Sequence, residues 1–191
     1  TDVIYSRHTG HTDISKKERI MDDTIYPLYS ITKLFTSAIV AKLVSQGSLD
    51  TEKTVNNYLD GLPTNWHHIK VGELLGHTSG LPEFFSLYAD ISESPRTIIK
   101  QLKNNPLPFQ NSSQNQYNQT NFLLLKLIIE RHFEKKFEKV IEDEFTRPYQ
   151  LMHTGFFHSN ADEPAQISDY YSVEDGVPTK VDVPSFSKTM Y

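Results

Sequence analysis

A serine and a lysine three residues apart open the most apolar helical segment of the chain, in Tyr29-Ser30-Ile31-Thr32-Lys33-Leu34-Phe35-Thr36. That spacing sets both side chains on one helix face, about one turn apart, so the amine can reach the hydroxyl. A serine hydroxyl is a weak nucleophile until a base takes its proton, and a lysine shielded from water can be that base. The first turn of a helix also presents free backbone N–H groups and the positive end of the dipole, which suit a tetrahedral oxyanion. Ile31, Leu34, Phe35, Ala38, Ile39, Leu43 and Val44 recur at three- and four-residue steps, and Gly47 supplies the stop. With 17 Ser and 14 Lys in 191 residues, about one Ser-x-x-Lys pair arises by chance, and the sequence holds two. The second, Ser185/Lys188, follows Pro184 and heads no helical pattern. Taken alone, the first pair also fits a plainer reading, in which Ser30 is an N-cap and Lys33 a solvated charge.

The length fits one domain, or one and part of a second, with enough chain for a sizeable core. A net charge of −5 and a pI near 5.9, with no basic stripe, argue against nucleic acid as a partner. The absence of cysteine excludes disulfides and thiolate metal sites and is compatible with any redox compartment. No apolar run reaches the length of a membrane span, the run 122–129 being interrupted by Lys126. The start at Thr1 reads as a processed or trimmed end, so an export signal is not legible.

In chain order, residues 2–8 are β-favouring, Thr9-Gly10 reads as a turn and 11–24 as a polar surface loop. Residues 25–29 are extended and deliver Ser30 to its helix. A weak short helix is expected around 52–59 and a helical turn at 71–75. Gly76-His77-Thr78-Ser79-Gly80-Leu81-Pro82 follows, a tightly specified loop. Pro95 marks the first turn of a helix over 95–104. Residues 104–120 are polar and rich in Asn and Gln. An apolar helix over 121–131 precedes an amphipathic one over 134–146, with Phe137, Val140, Ile141 and Phe145 on one face. Residues 159–184 read as irregular. His8/His11 and His67/His68 have no acidic partners at ligand spacing, so no metal is expected, and Trp66 reads as core.

Three pieces stand in order: Ser30-Ile31-Thr32-Lys33, the His77-Thr78-Ser79-Gly80-Leu81-Pro82 loop, and Tyr117-Asn118-Gln119-Thr120-Asn121 before the apolar helix. With Leu43-Val44-Ser45-Gln46-Gly47-Ser48-Leu49-Asp50 between the first two, the stretch from about residue 3 to about 156 closely resembles the serine β-lactamase-related, penicillin-binding-protein-like superfamily. It is most similar to the branch of class C β-lactamases, D-alanyl-D-alanine peptidases and esterases. The resemblance implies an α+β, β-lactamase/transpeptidase-like fold, an antiparallel sheet flanked by helices plus an all-helical lobe. It implies a partial α/β region with the nucleophile helix over 1–50, a mostly helical lobe over 51–150 and a return segment over 151–191. The match is to the N-terminal half of the family fold, so most sheet strands are expected to lie outside this chain.

The same resemblance makes Ser30 the acylated nucleophile, Lys33 its partner, and Tyr117 the general base or proton shuttle. Taken by itself, Tyr117 also reads as a half-buried loop aromatic. The His77 loop is implied to be scaffold rather than part of a triad with Ser30. Two departures stand out. Gln119 occupies the substrate-orienting position that is Asn in relatives, and its longer side chain shifts the amide by over an ångström. Ser187-Lys188-Thr189-Met190 offers Lys-Thr but has Met where the family's sheet-edge triplet needs Gly. The implied reaction is attack on an amide or ester carbonyl, as in D-alanyl peptides, β-lactams or small esters, through an acyl-serine and without a cofactor. The implied partners are a small-molecule or peptide substrate and the rest of its own chain, in an extracytoplasmic setting. The competing expectation is a non-catalytic binding or sensing module of the same fold, or a half that needs a partner chain.

Overall fold

The computed structural model describes residues 3–87, 94–156 and 167–181. The described chain forms two units. One contains residues up to Tyr29 together with those from Leu151 onward, and the other is built from Ser30–Gln150.

The first unit holds the strands. β1 (His11–Asp13) pairs antiparallel with β2 (Glu18–Arg19) across a register irregularity. This hairpin falls in the stretch expected to be loop, whereas the β-favouring residues from Val3 to His8 take no strand. Asp13 explains the difference. Its carboxylate accepts the Ser15 hydroxyl (2.6 Å) and the Ser15 and Lys16 amides (2.8 and 3.1 Å), and it pairs with Lys16 Nζ at 3.1 Å. That aspartate-centred turn joins two strands too short and polar to show periodicity.

The second hairpin comprises β3 (Tyr171–Glu174) and β4 (Val177–Lys180), paired antiparallel from Tyr171↔Lys180 to Glu174↔Val177. It corrects the irregular reading of 159–184 over residues 171–180; residues 159–166 and 182–184 lie outside the described residues. Asp175 and Gly176 sit at φ 50° and 79°, the two left-handed residues that a tight hairpin turn requires. Asp169 N–H donates to Thr12 O at 3.0 Å and Ile14 N–H to the Tyr171 hydroxyl at 2.9 Å, which ties the hairpins together. The fold class is thus α+β with small antiparallel sheets, as the resemblance implied.

The second unit is helical. Its elements are α1 (Thr32–Ser45), α2 (Val71–Leu75), α3 (Phe84–Leu87), α4 (Pro95–Leu102), α5 (Gln119–Phe133) and α6 (Phe137–Ile141). Ser94 caps α4 by accepting the Thr97 amide (3.3 Å), with Pro95 in the first turn. Glu134, at φ 53°, ends α5, and α6 continues through one π turn over Glu142–Thr146. The expected helix at 52–59 is only a 3₁₀ turn, Val55–Asn57, held by Val55 N–H donating to Ile69 O (2.8 Å). Leu43, Val55, Trp66, Leu74, Leu102, Leu124 and Phe137 are fully buried and form the core of this unit. Phe35 of α1 meets Phe145 edge-on at 5.1 Å, and Lys42 pairs with Glu144, which seats the π turn on α1. No described helix is long and apolar enough to cross a membrane.

Candidate active site

Ser30 does not cap its helix. It lies in a 3₁₀ turn over Tyr29–Ile31, entered through Tyr29 at φ 43°, and α1 begins two residues later with no side-chain cap. Ser30 is therefore exposed while Lys33, one turn on, is only 6% exposed. The plainer reading of the pair, an N-cap and a solvated charge, fails on both residues.

The polar end of α1 meets the start of α5. Lys33 Nζ donates to Ser30 Oγ at 3.3 Å and to Gln119 Oε1 at 2.7 Å. The Tyr117 hydroxyl lies 2.7 Å from Ser30 Oγ. The Lys33 ammonium stands 5.1 Å from the centre of the Tyr117 ring and 5.3 Å from that of Phe122, within reach of both π faces. All four residues singled out in the sequence, Ser30, Lys33, Tyr117 and Gln119, are thus within one hydrogen-bonded group. The tie from Gln119 goes to the lysine. Burial by itself raises the Tyr117 pKa, but hydrogen bonds from Lys33 and Ser30 and the lysine's charge outweigh it, so the phenol lies below its ordinary value.

Several further polar residues hold this group in place. Asn118 caps α5, its Oδ1 accepting the Thr120 and Asn121 amides (2.7 and 3.4 Å) while its Nδ2 donates to Leu81 O (2.6 Å). Glu83 Oε2 accepts the Gln119 amide at 2.6 Å. Thr120 Oγ1 donates to Pro82 O (2.7 Å) and accepts the Phe84 amide (3.2 Å). The buried carboxylate of Glu73 receives the Lys70 amide (2.8 Å), Asn111 Nδ2 and the Ser112 hydroxyl, which fastens the Asn-rich segment to α2. Gly80 is required by space as well as by its φ of 69°, since a Cβ there would sit 2.2 Å from Phe109 O. The sequence reading passed over the cap at Asn118, although Asn ahead of an apolar run is the signal that would have found it. The Glu73 and Glu83 contacts span about 36–39 residues and leave no local signature.

The hairpins and the helical unit bearing Ser30 and Lys33 belong to a β-lactamase/transpeptidase-like fold. The chain belongs to the Beta-lactamase family, whose family model matches residues 1–189. It is 27% identical over 165 residues to Protein flp of Staphylococcus aureus (strain MW2), covering 83% of this chain and 33% of that protein. It is 29% identical over 162 residues to the N-acetylmuramyl-L-alanine amidase of Bacillus subtilis (strain 168), covering 78% and 37%. The penicillin binding protein from Bacillus halodurans shares its fold with a TM-score of 0.73 at 24% identity, covering 90% of this chain and 54% of that one. The chain spans about a third of the length of the curated relatives it matches. Residues 187–190, whose Lys-Thr-Met was set against the family triplet and departs from it, lie outside the described residues.

Proposed function

We propose that this chain carries the nucleophile side of a serine acyl-transfer hydrolase that acts on an amide or ester. The observation that carries this reading is the Tyr117 hydroxyl 2.7 Å from an exposed Ser30 Oγ, with Lys33 Nζ 3.3 Å from the same oxygen. Tyr117 as phenolate takes the Ser30 proton, Oγ attacks the carbonyl, and the tetrahedral oxyanion forms. Tyr117 then returns the proton to the leaving nitrogen or oxygen, which leaves an acyl-Ser30 ester. Water enters by the same base and frees the acid. Lys33 holds the phenolate by charge and Gln119 holds Lys33. A relative named for an N-acetylmuramyl-L-alanine amide bond supports a cell-wall peptide as substrate class and an extracytoplasmic setting. The second reading, a binding module of the same fold, is favoured by Gln119, whose carbonyl is engaged by Lys33 rather than directed outward.

Incubation of the protein with a fluorophosphonate, followed by peptide mapping, tests the assignment. The expected result is one label, on Ser30, lost in Ser30→Ala. Label on another serine, or undiminished labelling of Ser30→Ala, overturns it.

A further inference from the structure

His77 stands out among the residues the reaction does not use, because its backbone and ring are held from every side. Its φ of 56° is left-handed, its N–H donates to Leu74 O (3.3 Å), and its carbonyl accepts the Gln116 amide (2.9 Å). Its ring packs against Tyr117 (centres 4.7 Å apart, 42° between planes) and against Phe122 (5.3 Å, 36°).

Two donors converge on one ring nitrogen. The Asn118 amide, an obligatory donor, lies 3.2 Å from His77 Nδ1, and Asn121 Nδ2 lies 3.1 Å from it. The Asn121 amide is oriented by its neighbours. Leu81 N–H donates to Ser79 Oγ (3.1 Å), and the Ser79 hydroxyl in turn donates to Asn121 Oδ1 (2.5 Å), so the NH₂ end faces the imidazole. A nitrogen facing two N–H groups must offer a lone pair. The proton of neutral His77 is therefore on Nε2, and a proton added at Nδ1 would face two donors.

We propose that His77 is a positioning residue that acts only as the neutral, Nε2-protonated imidazole: it grips the Tyr117 ring and the peptide that follows it, and protonation at Nδ1 releases both. This rests on reading Tyr117 as the base for Ser30. Among the described residues, the charged or titratable groups shown to act on the ring are Lys33 on α1, through its charge, and Tyr117, which packs against it. The side chains of α5 that face it, Asn121 and Phe122, do not titrate. Burial and then the charge of Lys33 hold the His77 pKa below its ordinary value, which favours the neutral form at pH 7.

His77→Asn separates this role from simple scaffolding. Asn tolerates a left-handed φ, can present Oδ1 close to where Nδ1 stood, and cannot take up a proton. The rate of Ser30 labelling by a fluorophosphonate, followed against pH, is expected to fall in the wild type with a slope that steepens from one to two below the His77 titration. In His77→Asn the slope stays at one, so the wild type drops about tenfold further per pH unit in that acid range. His77→Leu, with no acceptor, labels slowly at every pH. Identical slopes in the wild type and His77→Asn overturn the proposal, as does a His77→Leu rate equal to that of His77→Asn. Nuclear magnetic resonance of ¹⁵N-histidine and ¹³C-tyrosine protein gives a reading that needs no acylation. An unprotonated Nδ1 at pH 7 and Tyr117 ring signals that move with the His77 titration are expected. A proton on Nδ1, or a Tyr117 signal that ignores that titration, overturns the proposal even where Ser30 is labelled. Absence of Ser30 labelling with the expected spectra would count against the acyl-transfer reading and leave the His77 tie standing.

Discussion

The two long apolar helices of this chain look alike in sequence and differ in use. α5 buries nine of its 15 residues, on almost every face, whereas α1 buries five of its 14. Among the buried positions of α1 are Lys33 and Thr36, whereas its Leu34, and Ile31 just ahead of it, are 69% and 55% exposed. The apolar periodicity of α1 therefore does not describe one core-facing stripe. α5 is a fixed support whose capped start carries Tyr117, Asn118 and Gln119. α1 is covered on one side and presents Ser30 at its open end. Lys33 is shielded because the start of α5 covers it, with Gln119 and the Tyr117 and Phe122 rings nearby. Ser30 thus stands just ahead of the less buried helix, and its neighbour Tyr117 stands just ahead of the more buried one.

The largest effects expected from breaking this arrangement are chemical. Tyr117→Phe and Lys33→Ala are each expected to slow Ser30 acylation by about 10²–10⁴-fold, the usual worth of a positioned base. Thermal denaturation is expected to shift far less in Tyr117→Phe, because half of that side chain is exposed. Acylation within a few-fold of wild type in both variants would show that the base lies elsewhere.

Truncation of matched leucines sharpens the contrast between the helices themselves. Leu124→Ala on α5, where the side chain is fully buried, is expected to cost about 2–5 kcal/mol in urea denaturation. Leu34→Ala on α1, 69% exposed, is expected to stay within about 0.5 kcal/mol of wild type. Equal losses would mean that the two helices are covered alike.

Much of this was legible because it is local. The α1 segment, the five residues of α2 and the Pro95 start of α4 follow from apolar spacing, Gly and Pro. Ser30 and Lys33 were legible from their spacing, and Tyr117 and Gln119 from motif order; the bond between Lys33 and Gln119 came only with the fold. The hairpin at 171–180 was missed although Asp175-Gly176 is a turn signal, because Pro178 and the acidic residues around it hide the alternation. The role of the polar stretch ahead of Tyr117 was not legible, because Asn111 and Ser112 are held by Glu73 and Asn115 by Gly76 O, partners that no window of sequence places together. His77 was read as scaffold, and its chemical tie to Tyr117 depends on which ring nitrogen faces the Asn118 amide.

The lysine on α1 is expected to tune the tyrosine at the start of α5. That tuning is tested most directly by titrating Tyr117 itself, using ¹³C-labelled tyrosine with the signal assigned by its loss in Tyr117→Phe. The account predicts a Tyr117 pKa below the ordinary phenol value near 10 in the wild type, and an upward shift in Lys33→Met. With the folded-state value depressed, the unfolded chain binds the proton more tightly. Resistance to unfolding should therefore rise as pH climbs from the folded value towards 10, and be lost as pH falls through it. A wild-type Tyr117 that titrates at or above the ordinary value, or one unmoved by Lys33→Met, would contradict the account.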